Sequence, residues 1–261
     1  MINYSFSVII PVLNTNDYLL KCLDHLENQS YKNFEVILVS ENKLEHINQK
    51  DYSFELRIKE ERIFKPGEKR NYAAEISKGK FLCFIDDDAY PKNDWLECAN
   101  NIFTKYKDKK ILLGGPGVLP EDDNFFSKVS DLFFTSIFLG SSKARYMSVY
   151  ELDKYNFDDW PSVNLILSKE DFLEVNGFDV NFWPGEDSKL CSKLLSNGTN
   201  IMYDPNLIVY HYRRSNFIKH FRQIFRYSFH RGIFFQNKDN NSFKLNYTIP
   251  SFFLVYLMFM P

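Results

Sequence analysis

Three consecutive carboxylates, Asp86, Asp87 and Asp88, are the residues of this chain with the clearest potential for chemistry. They directly follow a run of five apolar residues at positions 81–85. Such a short, continuous apolar run is typical of a strand buried on both faces of an α/β sheet. The carboxylates are therefore expected where that strand ends, and in open α/β sheets this carboxyl edge is where ligands bind.

The carboxylate cluster predicts a site for a divalent cation. Two like charges about 4 Å apart repel each other by roughly 4 kcal/mol at an effective dielectric constant near 20, so three carboxylates at one strand end favour a bound cation. Oxygen ligands suit Mg²⁺ or Mn²⁺. A solvated acidic turn is the alternative interpretation, since runs of like charge are usually only hydrated.

A second acidic pair, Glu186 and Asp187, offers a candidate general base. The pair follows a Trp-Pro-Gly turn at residues 183–185 and precedes residues 188–195, whose apolar positions recur at helical spacing. At a helix N-terminus the macrodipole favours the charged form of a carboxylate, and only an ionised carboxylate can accept a proton. Ordinary N-terminal helix acids are the alternative interpretation.

The elements that must position these acids alternate along the first hundred residues. Apolar runs predict strands at 6–12, 34–39 and 81–86, and helical spacing predicts helices at 17–29 and 69–78. This alternation indicates an α/β fold with a mostly parallel central sheet. With 261 residues, 44% of them hydrophobic and 25% charged, the chain is long enough for one large α/β domain with an appendage.

Charge and cysteine content narrow the class of protein. A net charge of −2 argues against a globally basic nucleic-acid binder. The four cysteines are widely spaced, which indicates reduced thiols and neither a zinc site nor a disulfide framework. The N-terminus shows no charged leader followed by an apolar core, so no signal peptide is predicted and the catalytic part is expected in the cytoplasm.

Further short motifs accompany the acids, and their order is informative. They are Val-Ile-Ile-Pro-Val-Leu-Asn at 8–14, Gly-Glu-Lys-Arg-Asn at 67–71, Asn-Leu-Ile-Leu at 164–167, Gly-Phe-Asp at 177–179, Gly-Glu-Asp at 185–187, Tyr-Asp-Pro at 203–205 and His211. In this order, together with the aspartate cluster, they resemble a family 2 glycosyltransferase with a GT-A fold. The resemblance covers about residues 5–215. Each motif is weak alone, but several in the right order are specific.

The resemblance implies a metal site that assists a nucleoside diphosphate leaving group. Asp88 would ligate Mn²⁺ or Mg²⁺ directly, while Asp86 would ligate it or contact the ribose, and Asp87 would belong to the nucleotide-sugar site. His211, at the end of the apolar run 207–210, would complete the metal site. The alternative for His211 is a partly buried histidine bonded to the backbone.

For the donor, the resemblance assigns nucleotide-sugar contacts to Pro11, Asn14, Glu41 and Arg70. Residues 40–42 read Ser-Glu-Asn, where the family commonly has paired aspartates, so the base is less certain. A uracil imide can still donate to Glu41, which favours UDP over GDP. Arg70, near a helix start, suits a diphosphate. A solvent-facing helix arginine is its alternative.

On the acceptor side, the resemblance makes Asp187 the general base of an inverting transfer and places Glu186 on an acceptor or donor hydroxyl. Trp160, Asn164 and Trp183 are predicted acceptor contacts, with the two tryptophans stacking on sugar faces or, equally, packing in the core. The implied acceptor is a lipid-linked saccharide or a surface glycan.

The C-terminal region predicts contact with a membrane. Residues 213–238 hold seven Lys or Arg residues, and no acid lies between Asp204 and Asp239. Phenylalanines recur among these cations at helical spacing, as on an amphipathic helix at an anionic bilayer surface. The apolar run 249–261 is shorter than the roughly 20 residues that cross a bilayer. The alternatives are a helix packed on the domain and a nucleic-acid patch, and no nucleic-acid partner is expected.

These features together predict a GT-A domain over residues 1–215, with a nucleotide-sugar half at 1–115 and an acceptor half at 116–215. Residues 216–261 would hold the enzyme on the cytoplasmic face of a membrane. Two rival functions remain. One is a Mg²⁺-dependent phosphatase with Asp86 as nucleophile and Asp88 beside it, although Ala-Tyr-Pro at 89–91 does not suit that class. The other is a noncatalytic membrane-associated binding module.

Overall fold

The structure is a computed structural model that describes residues 5–136, 143–150, 157–237 and 249–259. The strands in these ranges are β1 (Phe6–Val12), β2 (Phe34–Ser40), β3 (Glu55–Glu60), β4 (Phe81–Phe84), β5 (Ala89–Pro91), β6 (Ile111–Gly114), β7 (Gly117–Val118), β8 (Leu165–Ser168), β9 (Asn200–Tyr203) and β10 (Val209–His211). The helices are α1 (Asp17–Glu27), α2 (Pro66–Ile76), α3 (Trp95–Lys105), α4 (Phe125–Phe134), α5 (Lys169–Glu174), α6 (Glu186–Ser196), α7 (Phe217–Gln236) and α8 (Ile249–Met258).

A seven-stranded sheet forms the centre of the molecule, in the order β3-β2-β1-β4-β8-β6-β9. All neighbouring strands run parallel except β8, which is antiparallel to β4 and β6. The predicted α/β fold with a mostly parallel sheet is therefore confirmed. The antiparallel β8 has no counterpart among the predicted strands, because its apolar run is only three residues long.

Helices cover both faces of this sheet. Apolar side chains of α1 and α3 pack on one face, and those of α2, α5 and α6 pack on the other. The seven residues of β1 and the seven of β2 are all buried, as continuous apolar runs require. Helix α2 begins at Pro66, three residues before the predicted start, because proline is well suited to the first helical turn. The four cysteines are free thiols, as predicted.

The parallel register brings three strand ends to one edge. Val12 of β1 lies opposite Ser40 of β2, and Phe84, the last residue of β4, lies opposite Ile9 of β1, so the residues that follow all three strands leave the sheet at the same edge. The loops that follow them are then tied together. The amide of Leu13 donates to Asp87 Oδ2 at 3.2 Å.

A second sheet of three short strands, in the order β5-β10-β7, brings a distant histidine to the same edge. In the antiparallel pair of β10 and β5, His211 lies opposite Ala89, the residue after Asp88. The Tyr212 amide donates to the Asp88 carbonyl at 3.0 Å and extends this pairing. The sheet therefore fixes His211 beside the aspartate cluster, 123 positions away in sequence.

The C-terminal residues form α7 and α8, which confirms the predicted helix over 217–229 and extends it to Gln236. Within the described ranges, no helix combines the length and the apolar character needed to cross a bilayer.

Candidate active site

The two outer aspartates of the cluster and the distant histidine converge. One ligand atom from each of Asp86, Asp88 and His211 lies within 4.8 Å of the other two. His211 Nε2 is 3.3 Å from Asp88 Oδ1, so its imidazole faces a carboxylate and not the backbone. Two carboxylates with one imidazole form a donor set that suits Mn²⁺ or a similar divalent cation. The residues present therefore fit the metal that the sequence analysis expects.

The middle aspartate points elsewhere. Asp87 accepts the Leu13 amide and stands outside the Asp86, Asp88 and His211 group. Burial, followed by the charge of Asp88, raises the pKa of Asp87 to about 6, while the Leu13 hydrogen bond opposes the shift. Burial also acts to raise the pKa of Asp88, but the charge and hydrogen bond of His211 outweigh it and lower that pKa overall. The three neighbouring carboxylates thus have different electrostatic surroundings.

Arg70 joins the aspartate cluster to the second acidic pair. Its Nη2 lies 2.6 Å from Asp86 Oδ1 and its Nη1 lies 3.2 Å from Glu186 Oε1, while its side chain is only 3% exposed. Burial disfavours the guanidinium charge, but the carboxylates of Asp86 and Glu186 raise the pKa of Arg70 overall. The solvent-facing alternative is therefore wrong. The observed partners of its two Nη atoms are carboxylates, whereas the sequence analysis expects a diphosphate.

The neighbours of Arg70 in the Gly-Glu-Lys-Arg-Asn motif tie the site together. Lys69 is buried and donates to the carbonyl of Val12 at the end of β1, 2.7 Å away. Burial lowers the pKa of Lys69, and the charges of Asp87 and Glu41 oppose this. The side chain of Asn71 accepts from the amide of Phe178 and donates to its carbonyl, both at 2.9 Å. Sequence reasoning used this motif as a whole and missed these two anchoring roles.

The predicted nucleotide-binding residues lie near the ends of β1 and β2. Asn14 is exposed and accepts from the side chain of Asn42 at 3.0 Å, and Glu41 is half-buried directly after β2. Asn14 also lines a cavity of about 450 Å³ with residues of the following loops. Pro11 is different: it is buried inside β1, opposite Val39. This agrees with the predicted strand 6–12, and the nucleotide-sugar contact of Pro11 stays a prediction.

The second acidic pair occupies the first turn of α6, as predicted, with Gly185 as N-cap at φ +113°. The expected preference of Asp187 for the charged form is wrong. Burial, followed by the charges of Glu186 and Asp159, raises the pKa of Asp187 to about 7. A helix N-terminus contributes only about 0.3–1 kcal/mol, which burial and two like charges easily exceed. A carboxylate with this pKa is suited to exchange protons near neutral pH.

Asp187 and His211 line one cavity of about 340 Å³. The cavity lies between the start of α6, the end of β10 and one face of α7. That face contributes His220, Gln223, Ile224, Tyr227, Ser228, His230, Arg231 and Phe234. The C-terminal helix therefore belongs to the wall of the candidate active site, which the sequence analysis did not predict.

Helix α7 is fastened to the turn that carries Asp187. Arg231 Nη2 lies 2.9 Å from Asp159 Oδ2, and Ser188 donates to the same oxygen at 2.9 Å. Phe234 packs against Gly185, where an added Cβ would come within 2.7 Å of its ring. Burial would raise the pKa of Asp159, but nearby arginines outweigh it and lower this pKa to about 2.

Three cations that the sequence analysis assigned to the membrane surface are paired within the protein. Arg231 binds Asp159, Arg213 lies 3.1 Å from Asp131, and Arg214 lies 3.5 Å from Asp88. Of the three, only Arg231 lies in α7, and the pairing of all three reduces the positive charge that they offer to a membrane, so membrane contact through this region stays a prediction. Lys238, another of the seven cations, falls outside the described residues.

Two of the three predicted acceptor contacts are core residues. Trp160 is fully buried and donates to the carbonyl of Gly115 at 3.2 Å. Asn164 is fully buried and accepts from the indole of Trp95 at 3.0 Å. These two predictions are therefore wrong. Trp183 is about half exposed, with the Arg226 guanidinium 5.0 Å from its ring centroid, and its acceptor contact stays a prediction.

Two family models match the chain. The model described as "Glycosyl transferase family 2" matches residues 7–142, and "Glycosyl transferase family group 2" matches residues 81–260. Together they cover the aspartate cluster, the acids of α6 and His211.

Similar curated proteins bear glycosyltransferase names. One, from Methanococcus voltae, is the "Dolichyl N-acetyl-alpha-D-glucosaminyl phosphate 3-beta-D-2,3-diacetamido-2,3-dideoxy-beta-D-glucuronosyltransferase", 25% identical over 87% of this chain and 73% of the relative. Another, from Erwinia amylovora, is the "Amylovoran biosynthesis glycosyltransferase AmsB", 27% identical over 73% of this chain and 64% of the relative. Glycosyltransferase GlyG of Streptococcus pneumoniae is 25% identical, and this chain spans 58% of its length.

Solved structures share the fold. S. aureus TarS 1–349 in complex with UDP-GlcNAc matches with a TM-score of 0.57 and 20% identity, over 82% of this chain and 60% of that one. The mannosyltransferase PcManGT from Pyrobaculum calidifontis, in complex with GDP-Man and Mn²⁺, matches with a TM-score of 0.60 and 16% identity, over 87% and 61%. The predicted GT-A fold is therefore confirmed.

The buried position of Asn164 yields a test of its structural role. Its side chain bonds the Trp95 indole and the carbonyls of Pro116 and Leu207, so Asn164→Ala removes three buried hydrogen bonds; the Pro116 carbonyl keeps its bond from the Val209 amide, whereas the Trp95 indole and the Leu207 carbonyl lose their side-chain partner. We expect the free energy of unfolding, measured by urea titration, to fall by about 3 kcal/mol or more. The control Asn101→Ala, at an exposed position of α3, should change it by less than about 0.5 kcal/mol. Unchanged stability with weaker acceptor binding would restore the acceptor role.

Proposed function

The chain belongs to glycosyltransferase family 2, and from this we propose that it is an inverting, metal-dependent enzyme that transfers a sugar from a UDP-sugar to a hydroxyl of a lipid-linked saccharide or surface glycan. The observation that carries the proposal is the shared cavity: Asp187 and the metal-site residue His211 line the same space of about 340 Å³. One wall of this cavity thus offers a proton acceptor, and another borders the site for the leaving diphosphate.

Donor binding is assigned to the edge formed by β1, β2 and β4. Glu41, half-buried after β2, offers a carboxylate to the imide N–H of uracil, and UDP is proposed as the donor nucleotide on this basis, with GDP as the alternative because the N1–H of guanine can donate to the same carboxylate. The similar structures were solved with UDP-GlcNAc in one case and GDP-Man in the other, so both support a nucleotide-sugar donor. The choice of uracil as the nucleobase depends on Glu41 alone. Asn14, beside Asn42, lies at the same strand ends.

The metal is assigned to Asp88 and His211, with Asp86 as the third ligand. When bound, the ion supplies a Lewis acid that stabilises the negative charge of the departing nucleoside diphosphate. The mannosyltransferase structure that contains Mn²⁺ supports the use of a divalent cation. Arg70 pairs with both Asp86 and Glu186 and thereby fixes the orientation of the Asp86 carboxylate.

Asp187 is assigned the role of general base. As the acceptor oxygen bonds to the anomeric carbon, its proton passes to a carboxylate oxygen of Asp187, and the bond from that carbon to the diphosphate oxygen breaks. Attack opposite the leaving group inverts the anomeric configuration. Glu186 is held by Arg70 at 3.2 Å and is assigned to binding a hydroxyl rather than accepting the proton.

The proposed acceptor has support from one relative, and the proposed location has support from the exposed side chains of α7. The printed name of the Methanococcus voltae relative states a dolichyl phosphate-linked acceptor, which supports a lipid-linked acceptor here. Exposed apolar side chains on α7 support contact with a membrane surface, proposed as the cytoplasmic face. The binding-module hypothesis is set aside because the chain belongs to an enzyme family. The phosphatase hypothesis is set aside on the same ground.

The role of Asp187 can be tested by substitution. Asp187→Asn preserves size but removes the proton acceptor, so kcat for sugar transfer should fall by about 100- to 10 000-fold. Binding of UDP with Mn²⁺, measured by thermal shift, should persist. The control Asp108→Asn, an exposed carboxylate before the amino end of β6, should leave both unchanged. Near wild-type turnover in Asp187→Asn would refute the proposed base.

The raised pKa of Asp187 predicts an acidic limb in the pH profile. The base works only when ionised, and its pKa is about 7, so kcat/KM should rise through pH 6–7 and level off above pH 8. The charge of Asp159 contributes to this raised pKa. Asp159→Asn should therefore move the limb to lower pH. A limb centred near pH 4 in the wild type, or one unmoved in Asp159→Asn, would contradict this assignment.

A further inference from the structure

Helix α4 buries polar side chains and exposes apolar ones. Its buried residues are two serines, Ser127 and Ser130. Four large apolar side chains face solvent instead, with exposures between 47% and 82%, namely Phe125, Val129, Leu132 and Phe133. They recur at intervals of four, three and one residues, so they form one stripe along the helix. A helix of a globular protein normally buries such a stripe.

Helix α7 also exposes large apolar side chains to solvent. Of its 20 described residues, only Phe234 is fully buried. A phenylalanine lies exposed at every fourth position, with exposures between 58% and 66%, at Phe217, Phe221, Phe225 and Phe229. Exposed apolar patches of this extent are rare on soluble proteins and indicate an interaction surface.

The two stripes are adjacent, because α4 and α7 pack against each other. His220 of α7 lies with its Nδ1 3.4 Å from Ser130 Oγ of α4. Its ring also contacts Phe126 and Phe134, with centroids 5.9 and 5.6 Å away. The exposed side chains of α4 and α7 therefore flank one seam and form a single surface, which we call the α4–α7 face.

The exposed charges on α4 and α7 themselves are of one sign. Lys219, Arg222 and Arg226 of α7 and Lys128 of α4 are all exposed. The acid of α4, Asp131, is paired with Arg213 at 3.1 Å, and α7 contains no acid. Apolar side chains bordered by cations match the interface of an anionic bilayer, where each cation contributes about 1 kcal/mol. A second copy of this chain would bring the same cations together, so self-association is disfavoured.

We propose that α4 is the second half of the membrane-docking surface, so that the α4–α7 face inserts its apolar stripes into the interface of an anionic bilayer. The proposal rests on the membrane contact proposed above for α7 and adds a helix to which no membrane role was assigned. Phe134 of α4 and Ile224 of α7 also line the cavity that holds Asp187. Docking through this face therefore places the acceptor cavity at the bilayer surface, within reach of a lipid-linked acceptor.

Vesicle flotation of the full chain tests this proposal. The probes are vesicles of phosphatidylglycerol and phosphatidylcholine in equal parts, and vesicles of phosphatidylcholine alone. The α4 variant is Phe125→Ser with Leu132→Ser, and the α7 variant is Phe221→Ser with Phe225→Ser. The matched control, Phe64→Ser with Leu173→Ser, removes two exposed apolar side chains from other parts of the surface. Circular dichroism melting checks that each variant folds.

We expect the wild type to bind the anionic vesicles, and the α4 and α7 variants each to bind at least about tenfold more weakly, because each loses two inserted side chains. The control should bind like the wild type, and all forms should bind neutral vesicles less.

Loss of binding in the α7 variant alone would overturn the role of α4 and leave the membrane contact of α7 standing. If the wild type does not bind anionic vesicles, the membrane roles of α4 and of α7 are both overturned. The proposed reaction would still be tested separately, by measuring glycosyl transfer to a soluble acceptor. Dimers that the α4 variant abolishes would assign the face to self-association and overturn the proposal.

Discussion

Mutual repulsion among carboxylates is the constraint around which this site is organised. Asp86 and Asp88 end one buried strand, and Glu186 and Asp187 begin α6 at the same place in the molecule. A single buried guanidinium, that of Arg70, lies between the two groups and bonds a member of each. The desolvation cost of burying Arg70 is offset because its guanidinium is paired with carboxylates. The repulsion among the clustered acids is in turn offset by nearby cations. The divalent ion proposed at Asp88 would complete the same balance.

Topology provides what local sequence cannot. The antiparallel pairing of β10 with β5 places His211 beside Asp88, and the parallel register of β1, β2 and β4 aligns their loops. Helix α7 then closes the acceptor side, with Arg231 on Asp159 and Phe234 on Gly185. The inner face of this one helix shapes the cavity around Asp187, and its outer face, together with α4, forms the surface that we propose to contact a bilayer.

Much of this arrangement was predictable from the sequence. The buried strand before Asp86, the alternation of strands and helices and the order of motifs all follow from local periodicity and residue type. The placement of Glu186 and Asp187 in a first helical turn follows from the turn that precedes them. These predictions depend on neighbours within a few positions, where side-chain spacing and secondary structure are directly linked.

Properties that depend on distant contacts were not predictable. The pKa of Asp187 depends on burial and on Asp159, 28 positions away, so the helix terminus alone indicated the wrong direction. Trp160 and Asn164 suit a sugar-binding surface and a polar core equally well by residue type. The direction of Arg231 depends on how α7 rotates against the domain, which periodicity leaves open. The exposure of the apolar stripe of α4 was not predictable either, because such a stripe normally indicates burial.

The central claim is that Asp86, Asp88 and His211 form one binding site for a divalent ion, and Mn²⁺ binding measured by electron paramagnetic resonance in the presence of UDP tests it most directly. The account predicts that Asp88→Asn and His211→Ala each weaken Mn²⁺ binding by at least about tenfold, while Asp108→Asn leaves it unchanged. Equal Mn²⁺ affinity in the wild type, Asp88→Asn and His211→Ala would contradict the account.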